Sequence, residues 1–252
     1  MIEKKIHYIW FGEEKPQKIQ NYIASWEKYL PDYELIEWNE KNFDVEKEME
    51  ENRFFRECYK RKLWAFVADY VRVKVLYKYG GIYFDTDIEV LKSFDSLLDN
   101  ELILGYENEN TLNLAVVGVE KNHILFKEMF EFYQKDIWES PLYIITGILT
   151  KAIEKIYGKE FKGTEKIKLY PSEYFYPYNH DEEFIKESIT SNTYTIHWWE
   201  KSWGKNPKVY FLKYKHLPWW KKYPKHICKL INYYFKFYIL QKNKKKDIEW
   251  KR

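Results

Sequence analysis

Asp85 and Asp87 stand one residue apart in the string Gly80-Gly81-Ile82-Tyr83-Phe84-Asp85-Thr86-Asp87. Side chains of an extended backbone alternate between faces, so these two carboxylates can project to one side. A pair so placed suits a hard divalent cation, Mn²⁺ or Mg²⁺, whose other positions hold waters or substrate phosphates. Such an ion serves chemistry in which negative charge builds on a departing phosphate. An isolated Asp-x-Asp also reads as a solvated acidic turn, so its surroundings must decide. Upstream, Ala65, Ala68, Asp69 and Arg72 lie three or four residues apart, along one helical stripe. An ordinary intrahelical Asp–Arg pair would look the same. This helix, however, runs through Gly80-Gly81 directly into the aspartates, so the two polar features must lie close together. The combination favours the metal and phosphate reading.

Those residues need elements to hold them. Lys5 to Phe11 is β-branched and aromatic and stops at Gly12, which predicts a buried first strand. Pro16 opens a helix with apolar positions at Ile19, Tyr22, Ile23, Trp26 and Leu30, ended by Pro31. Tyr33 to Trp38 alternates as a second strand, and 43–58 reads as a charged helix. Arg61 to Tyr79 gives the clearest helical spacing, through Leu63, Phe66, Val67, Tyr70, Val71 and Tyr77, with Gly80 as its C-cap. Ile82 to Phe84 forms the strand that delivers the aspartates. Further strands are expected at Glu101–Tyr106, Leu114–Val119 and Lys166–Tyr170, with helices near 122–138 and 146–157. This alternation predicts an α/β sandwich around a mainly parallel sheet, with ligands beyond the carboxyl ends of its strands. Trp10–Gly12 and Asp85–Asp87 both fall at such ends.

A chain of 252 residues is most simply one domain with an appendage. Aromatic residues reach 20%, which suits stackable ligands such as bases and sugars, although an AT-rich genome gives the same bias. Cys58 and Cys228 are far apart and lack metal-ligand spacing, so a reducing compartment is expected and a disulfide framework is not. No signal peptide is expected at the amino terminus, and no 18 uncharged apolar residues run together. The expected location is therefore cytoplasmic, peripheral on the inner face of the cell membrane. Charge is uneven: residues 213–252 hold 13 Lys/Arg against 2 Asp/Glu, so the +3 of the whole chain leaves −8 on 1–212. That division predicts a catalytic domain over 1–212 and a basic, aromatic helical tail over 213–252 with its own partner.

Ala68-Asp69-(x2)-Arg72 followed by Leu76-Tyr77-(x2)-Gly80 through Asp87 resembles the DXD sugar-binding region of family 32 glycosyltransferases. That family includes bacterial capsule and polysaccharide transferases and fungal initiating mannosyltransferases, and the clostridial toxin glucosyltransferases share the motif. Ile6-His7-Tyr8-Ile9-Trp10-Phe11-Gly12 resembles the family's amino-terminal strand. His197-Trp198-Trp199-(x2)-Ser202-Trp203 is similar to its closing His…Ser-Trp element. The matched segments run from about residue 5 to 203. One departure stands out: Thr146-Gly147 is followed by Ile148 where relatives often have Pro, which touches acceptor geometry.

The resemblance implies a GT-A-type, Rossmann-like α/β/α fold and retaining transfer of a hexose from a nucleotide sugar, UDP-galactose or UDP-glucose, with a GDP-sugar as the other option. It implies that Trp10 stacks on the base, a contact of about 1–3 kcal/mol by analogy with base–aromatic stacking. Asp69 and Arg72 would hold sugar hydroxyls, Asn113 would face the sugar, and Asp85 would contact ribose, sugar and ion. Asp87 would bind the ion directly, with His197 and Ser202 approaching from the far side. The Trp203 indole would donate to the β-phosphate. The acceptor implied is a growing, lipid-linked glycan of surface polysaccharide assembly. No protein general base is nominated, because the leaving phosphate can take the acceptor's proton.

Lys225 to Leu240 predicts an apolar helix with a narrow basic stripe, too short to span a bilayer and preceded by Trp219 and Trp220. An anionic membrane surface fits it; packing on the catalytic domain is the structural alternative. Three other functions compete. A haloacid-dehalogenase-type phosphohydrolase also opens with strand–Asp-x-Asp, but Glu89 stands where Thr or Val is expected. A nucleic-acid module would use the tail and leave the acidic body idle. A toxin-like transferase would modify a protein.

Overall fold

The computed structural model describes residues 1–200, 207–225, 227–231, 233 and 235. Six strands form the central sheet: β1 (Lys5–Ile9), β2 (Glu34–Trp38), β3 (Gly81–Phe84), β5 (Leu102–Asn108), β6 (Thr111–Val119) and β7 (Ile167–Tyr170). Their order is β2-β1-β3-β6-β5-β7, with β6 antiparallel to both neighbours and the other five running one way. The mainly parallel sheet read from the sequence is present. Two short strands, β4 (Ile88–Val90) and β8 (Thr195–His197), pair antiparallel as a separate ribbon.

Both faces of the sheet are covered, as an α/β/α sandwich requires. Strand β3 is buried throughout, and its residues alternate between two cores. Tyr83 joins the cluster built from α3 (Arg53–Lys60), α4 (Trp64–Tyr79), α5 (Ile124–Glu131) and α6 (Ile145–Tyr157). Ile82 and Phe84 join the opposite cluster, against Trp26 of α1 (Gln17–Tyr29) and Phe94. Such strict alternation fixes the strand's register, because a one-residue slip would exchange every side chain between cores.

The stretch that leads to the aspartates begins with α4, which is apolar on most of its circumference and accordingly buried. Gly80 ends it at φ +68, where an added Cβ would sit 2.5 Å from the Lys121 backbone nitrogen. Gly81 follows at φ +94, with Lys5 O 2.8 Å from its virtual Cβ. Two glycines thus let a buried helix turn directly into a central strand. His7, completely buried, locks this turn: its Nε2–H donates to Gly80 O at 2.9 Å, and the Trp38 indole donates to Nδ1 at 3.0 Å.

Several boundaries differ from the sequence expectation. The helix expected over 43–58 is two helices, α2 (Val45–Glu51) and α3, because the Asn52 side chain accepts from Phe55 N and caps a new start. The helix expected from Arg61 begins at Trp64, since Lys62 takes φ +56. The helix expected through 138 ends as α5 at Glu131 and passes into a π turn over 132–136. Strand β6 begins three residues before Leu114, placing Asn113 inside it.

The chain beyond 206 first packs on the body. Leu212 of α7 (Tyr210–Lys213) enters the core, and the buried Lys215 ammonium donates to Ser140 O at 2.5 Å and Leu142 O at 2.7 Å.

Burial pushes the His7 imidazole down to about 4. Its folded pKa lies below the unfolded value of about 6.5, so full stability is present above pH 6.5 and is lost as pH falls toward 4. Chemical denaturation should therefore register a loss of about 3 kcal/mol across that window. His7→Gln should be less stable at neutral pH and show a flatter acid limb. A wild-type limb no steeper than that of the variant would contradict the assignment.

Candidate active site

The aspartates sit just past the end of β3, in the turn that leads to β4 rather than within a strand. The Asp85 N–H donates to Ala115 O at 2.8 Å, and Asp85 O accepts from Ile88 N at 3.0 Å. Strand alternation still sends Asp85 to the α4 side, behind Tyr83, whose hydroxyl donates to Asp85 Oδ1 at 2.8 Å. There the Arg72 guanidinium donates to the same oxygen at 2.7 Å, lies 3.4 Å from Asp69 Oδ1, and rests 4.3 Å over the Tyr83 ring.

Arg72 also donates to Leu114 O at 2.9 Å, a carbonyl freed by a break in the β5–β6 ladder. Leu104 pairs with Val117 but Gly105 pairs with Asn113, so Leu114 to Val116 bulge out of register. Their backbone groups turn to the site instead. The Tyr176 hydroxyl takes Val116 N at 2.9 Å, and Asn113 Oδ1 accepts from Ala115 N at 2.7 Å. Gly105 is required here, because a Cβ would meet the Phe175 ring at 2.6 Å. Asn113 is itself held by Glu107, which accepts from its Nδ2 at 2.6 Å.

Asp87 turns toward the small ribbon. Ile88 pairs with His197, and Trp198 N donates to Asp87 O at 3.0 Å, so β8 lies alongside the aspartate turn. His197 Nε2 stands 3.3 Å from Asp87 Oδ2, which also accepts from Glu200 N at 2.8 Å. One donor atom each from Asp85, Asp87 and His197 lies within 4.8 Å of the others, a set that could hold a metal ion. Carboxylate oxygens with one imidazole suit Mn²⁺ or Mg²⁺. His197 Nδ1 is buried without a hydrogen-bond partner, and Nε2 is the ring nitrogen turned to Asp87. Trp199, its ring tilted against His197 with centroids 3.9 Å apart, adopts φ +52, a strained conformation for a bulky side chain.

The electrostatics follow from burial. Arg72 is raised further above its usual value: burial opposes this, but Asp85, Tyr83 and Asp69 outweigh it. Asp69 is pushed up to about 7 by burial, against the pull of Arg72 and with the push of Asp85. Burial would raise Asp87 as well, yet His197 and the Glu200 N–H hold it below the ordinary carboxylate range.

Trp10 lies just past β1, the strand next to β3, where His7 pairs with Tyr83. Trp10 and Asp85 therefore share one edge of the sheet. The Trp10 indole N–H is spent on Glu13 O at 2.6 Å, which leaves its ring face as the part it can offer a ligand. Gly12, at φ +94, brings the loop against the Trp64 ring. The structure thus gathers Asp69, Arg72, Asp85, Asp87 and His197 and puts Asn113 and Trp10 on adjoining elements. Ser202 and Trp203 lie outside the described residues. Tyr83, Glu107, Glu200 and the β6 bulge were not read from the sequence; Tyr83 had a signal in its i, i+2 spacing to Asp85, and the bulge only the hint of Gly105. A cleft of about 240 Å³ beside Lys74 and Tyr79 shares no lining residue with this cluster.

Residues 16–104 match the family model described as the glycosyltransferase sugar-binding region containing DXD motif. "Subversion of eukaryotic traffic protein A" of Legionella pneumophila is 27% identical over 173 residues, covering 52% of this chain and 27% of that protein. Lactosylceramide 4-alpha-galactosyltransferase of Rattus norvegicus is 28% identical over 150 residues, covering 54% of this chain and 41% of the relative. The chain thus spans less than half the length of these relatives. Among solved structures, "PaToxG Glycosyltransferase" superposes with a TM-score of 0.50 at 18% identity, over 62% of this chain and 69% of that one. The architecture is that of the GT-A glycosyltransferases. Residues 16–104 of this chain resemble their DXD-containing sugar-binding region.

Arg72→Met should leave two carboxylates facing each other without their cation, at a cost of about 3–5 kcal/mol in folding stability. Arg72→Lys should recover only part, because an ammonium cannot serve Asp85, Asp69 and Leu114 O with one planar fork. Urea denaturation reads both; an Arg72→Met protein as stable as wild type would contradict the clamp.

Proposed function

We propose that this chain is a metal-dependent retaining hexosyltransferase that moves a hexose from a nucleotide sugar to a lipid-linked glycan. The observation that carries this reading is the convergence of Asp85, Asp87 and His197 beside the Arg72–Asp69 pair, at the carboxyl ends of parallel strands. UDP-galactose is the preferred donor and UDP-glucose the next. The mammalian relative's name, an alpha-galactosyltransferase for lactosylceramide, supports both a galactosyl donor and a lipid-borne acceptor.

A divalent ion held by Asp87, Asp85 and His197 would supply charge stabilisation for the departing diphosphate. Ser202 and Trp203 are assigned to the same diphosphate, as the family resemblance implies. Trp10 offers its ring face to the base. Asp69 and Arg72 hold the sugar hydroxyls, with Asn113, braced by Glu107, against the sugar. As the anomeric carbon–phosphate oxygen bond breaks, the sugar gains cationic character that the Asp69 and Asp85 carboxylates offset. The acceptor oxygen bonds to the same face of that carbon, and its proton passes to the leaving phosphate oxygen. The product keeps the donor's configuration, and no protein base takes part.

We assign residues 1–212 to catalysis and 213–252 to a tail that keeps the enzyme on the inner face of the cell membrane, in surface polysaccharide assembly. Asp87→Asn should abolish transfer, by roughly a thousandfold or more, while the melting temperature stays near wild type. Chelation of divalent ions should do the same reversibly. Near-normal turnover by a folded Asp87→Asn protein contradicts the proposal.

A further inference from the structure

Residues 219–225 and 227–231 are helical, and this helix displays large apolar side chains to solvent. Trp219 is 70% exposed, Trp220 59%, Tyr223 57%, Ile227 50%, Ile231 61% and Phe235 63%. At about 100° per residue these six positions fall within an arc of roughly 160°. The exposed Lys221, Lys225 and Lys229 fall within a separate arc of roughly 80° on the other side. Lys222, between the two arcs, lies 4.7 Å over the Phe211 ring and ties the helix to the body. Just before it, Lys215 and Leu212 anchor the chain.

We propose that this helix is a docking surface for an anionic lipid bilayer and lies flat in its interface. A bilayer accepts both arcs at once: the aromatic and aliphatic side chains enter the acyl boundary, and the lysines reach anionic headgroups. Tryptophan and tyrosine are the residues that settle at that depth. The charge is complementary, at +11 over residues 213–252 against −8 on residues 1–212. A second copy would bring two lysine arcs together. The acidic body would attract the lysines and leave the apolar arc uncovered. A nucleic-acid strand would need aromatic and basic groups on one face, and here they are separated. Among the described residues no helix is long and apolar enough to cross a membrane.

This inference rests on the membrane assignment of the tail and is separable from the transfer chemistry, because vesicle binding is measured without a sugar donor. The test is co-sedimentation of the full chain with neutral phosphatidylcholine vesicles and with vesicles containing about one-third phosphatidylglycerol. Binding should be roughly a hundredfold tighter to the anionic vesicles and should fall steeply between about 0.05 and 0.5 M salt. Trp219→Ser/Trp220→Ser, and separately Lys221→Ser/Lys225→Ser/Lys229→Ser, should each weaken it at least about tenfold, with an unchanged melting temperature because all five residues are exposed. Equal binding to neutral vesicles, no binding to either, or wild-type binding by either variant overturns the proposal. So does a concentration-dependent dimer, or salt-dependent binding of single-stranded RNA, in a protein that leaves the vesicles alone.

Discussion

One buried guanidinium organises the centre of this protein. Arg72 joins the middle of α4 to the turn after β3 through Asp85, and to the β6 bulge through Leu114 O. Two carboxylates, a carbonyl and the face of Tyr83 offset its burial, although Nε stays buried without a partner. The polar groups of the sheet side of the site are placed relative to that anchor. Asp69 shares its helix, Asp85 shares its charge, and Asn113 sits beside the carbonyl it holds. With Asp87 added, three carboxylates meet one guanidinium and one imidazole. That excess of negative charge in a poorly solvated place is what a divalent cation would offset.

The second constraint is the ribbon of β4 and β8. Three backbone pairs carry a segment more than a hundred residues downstream onto the aspartate turn, with Ile88 opposite His197. Side-chain contacts then continue it: Trp198 donates to Glu89 at 2.9 Å, and Tyr22 of α1 stacks on Trp198. The ribbon delivers the far wall of the site, while the sheet delivers the near wall.

Much of the near wall was legible in the sequence because it is local. Helix α4, its glycine exit and the strand that follows lie in one run of residues, and the Gly80-Gly81 pair has a single backbone explanation. The far wall was legible only through the family resemblance. Three-residue strands such as β4 and β8 show no usable periodicity, and their pairing is set by tertiary contact. The β6 bulge was hidden for a related reason. Leu114 to Val119 reads as an unbroken apolar strand, and only Gly105 in the partner strand hints that the register shifts there. The split at Asn52 was local and could have been read, since asparagine is a preferred N-cap. It was masked by charged residues with good helix propensity on both sides. The tail's basic and apolar character was plain from composition, whereas the separation of its two arcs needed the helix itself.

The central claim is that strand ends and ribbon build one ion-holding pocket around Asp85 and Asp87. The most direct measurement is anomalous diffraction at the manganese edge from crystals soaked with Mn²⁺ and a nucleoside diphosphate. The account predicts one strong peak within about 2.5 Å of an Asp87 carboxylate oxygen, between Asp85 and His197. A peak elsewhere, or a bound diphosphate with no metal at that position, would contradict it.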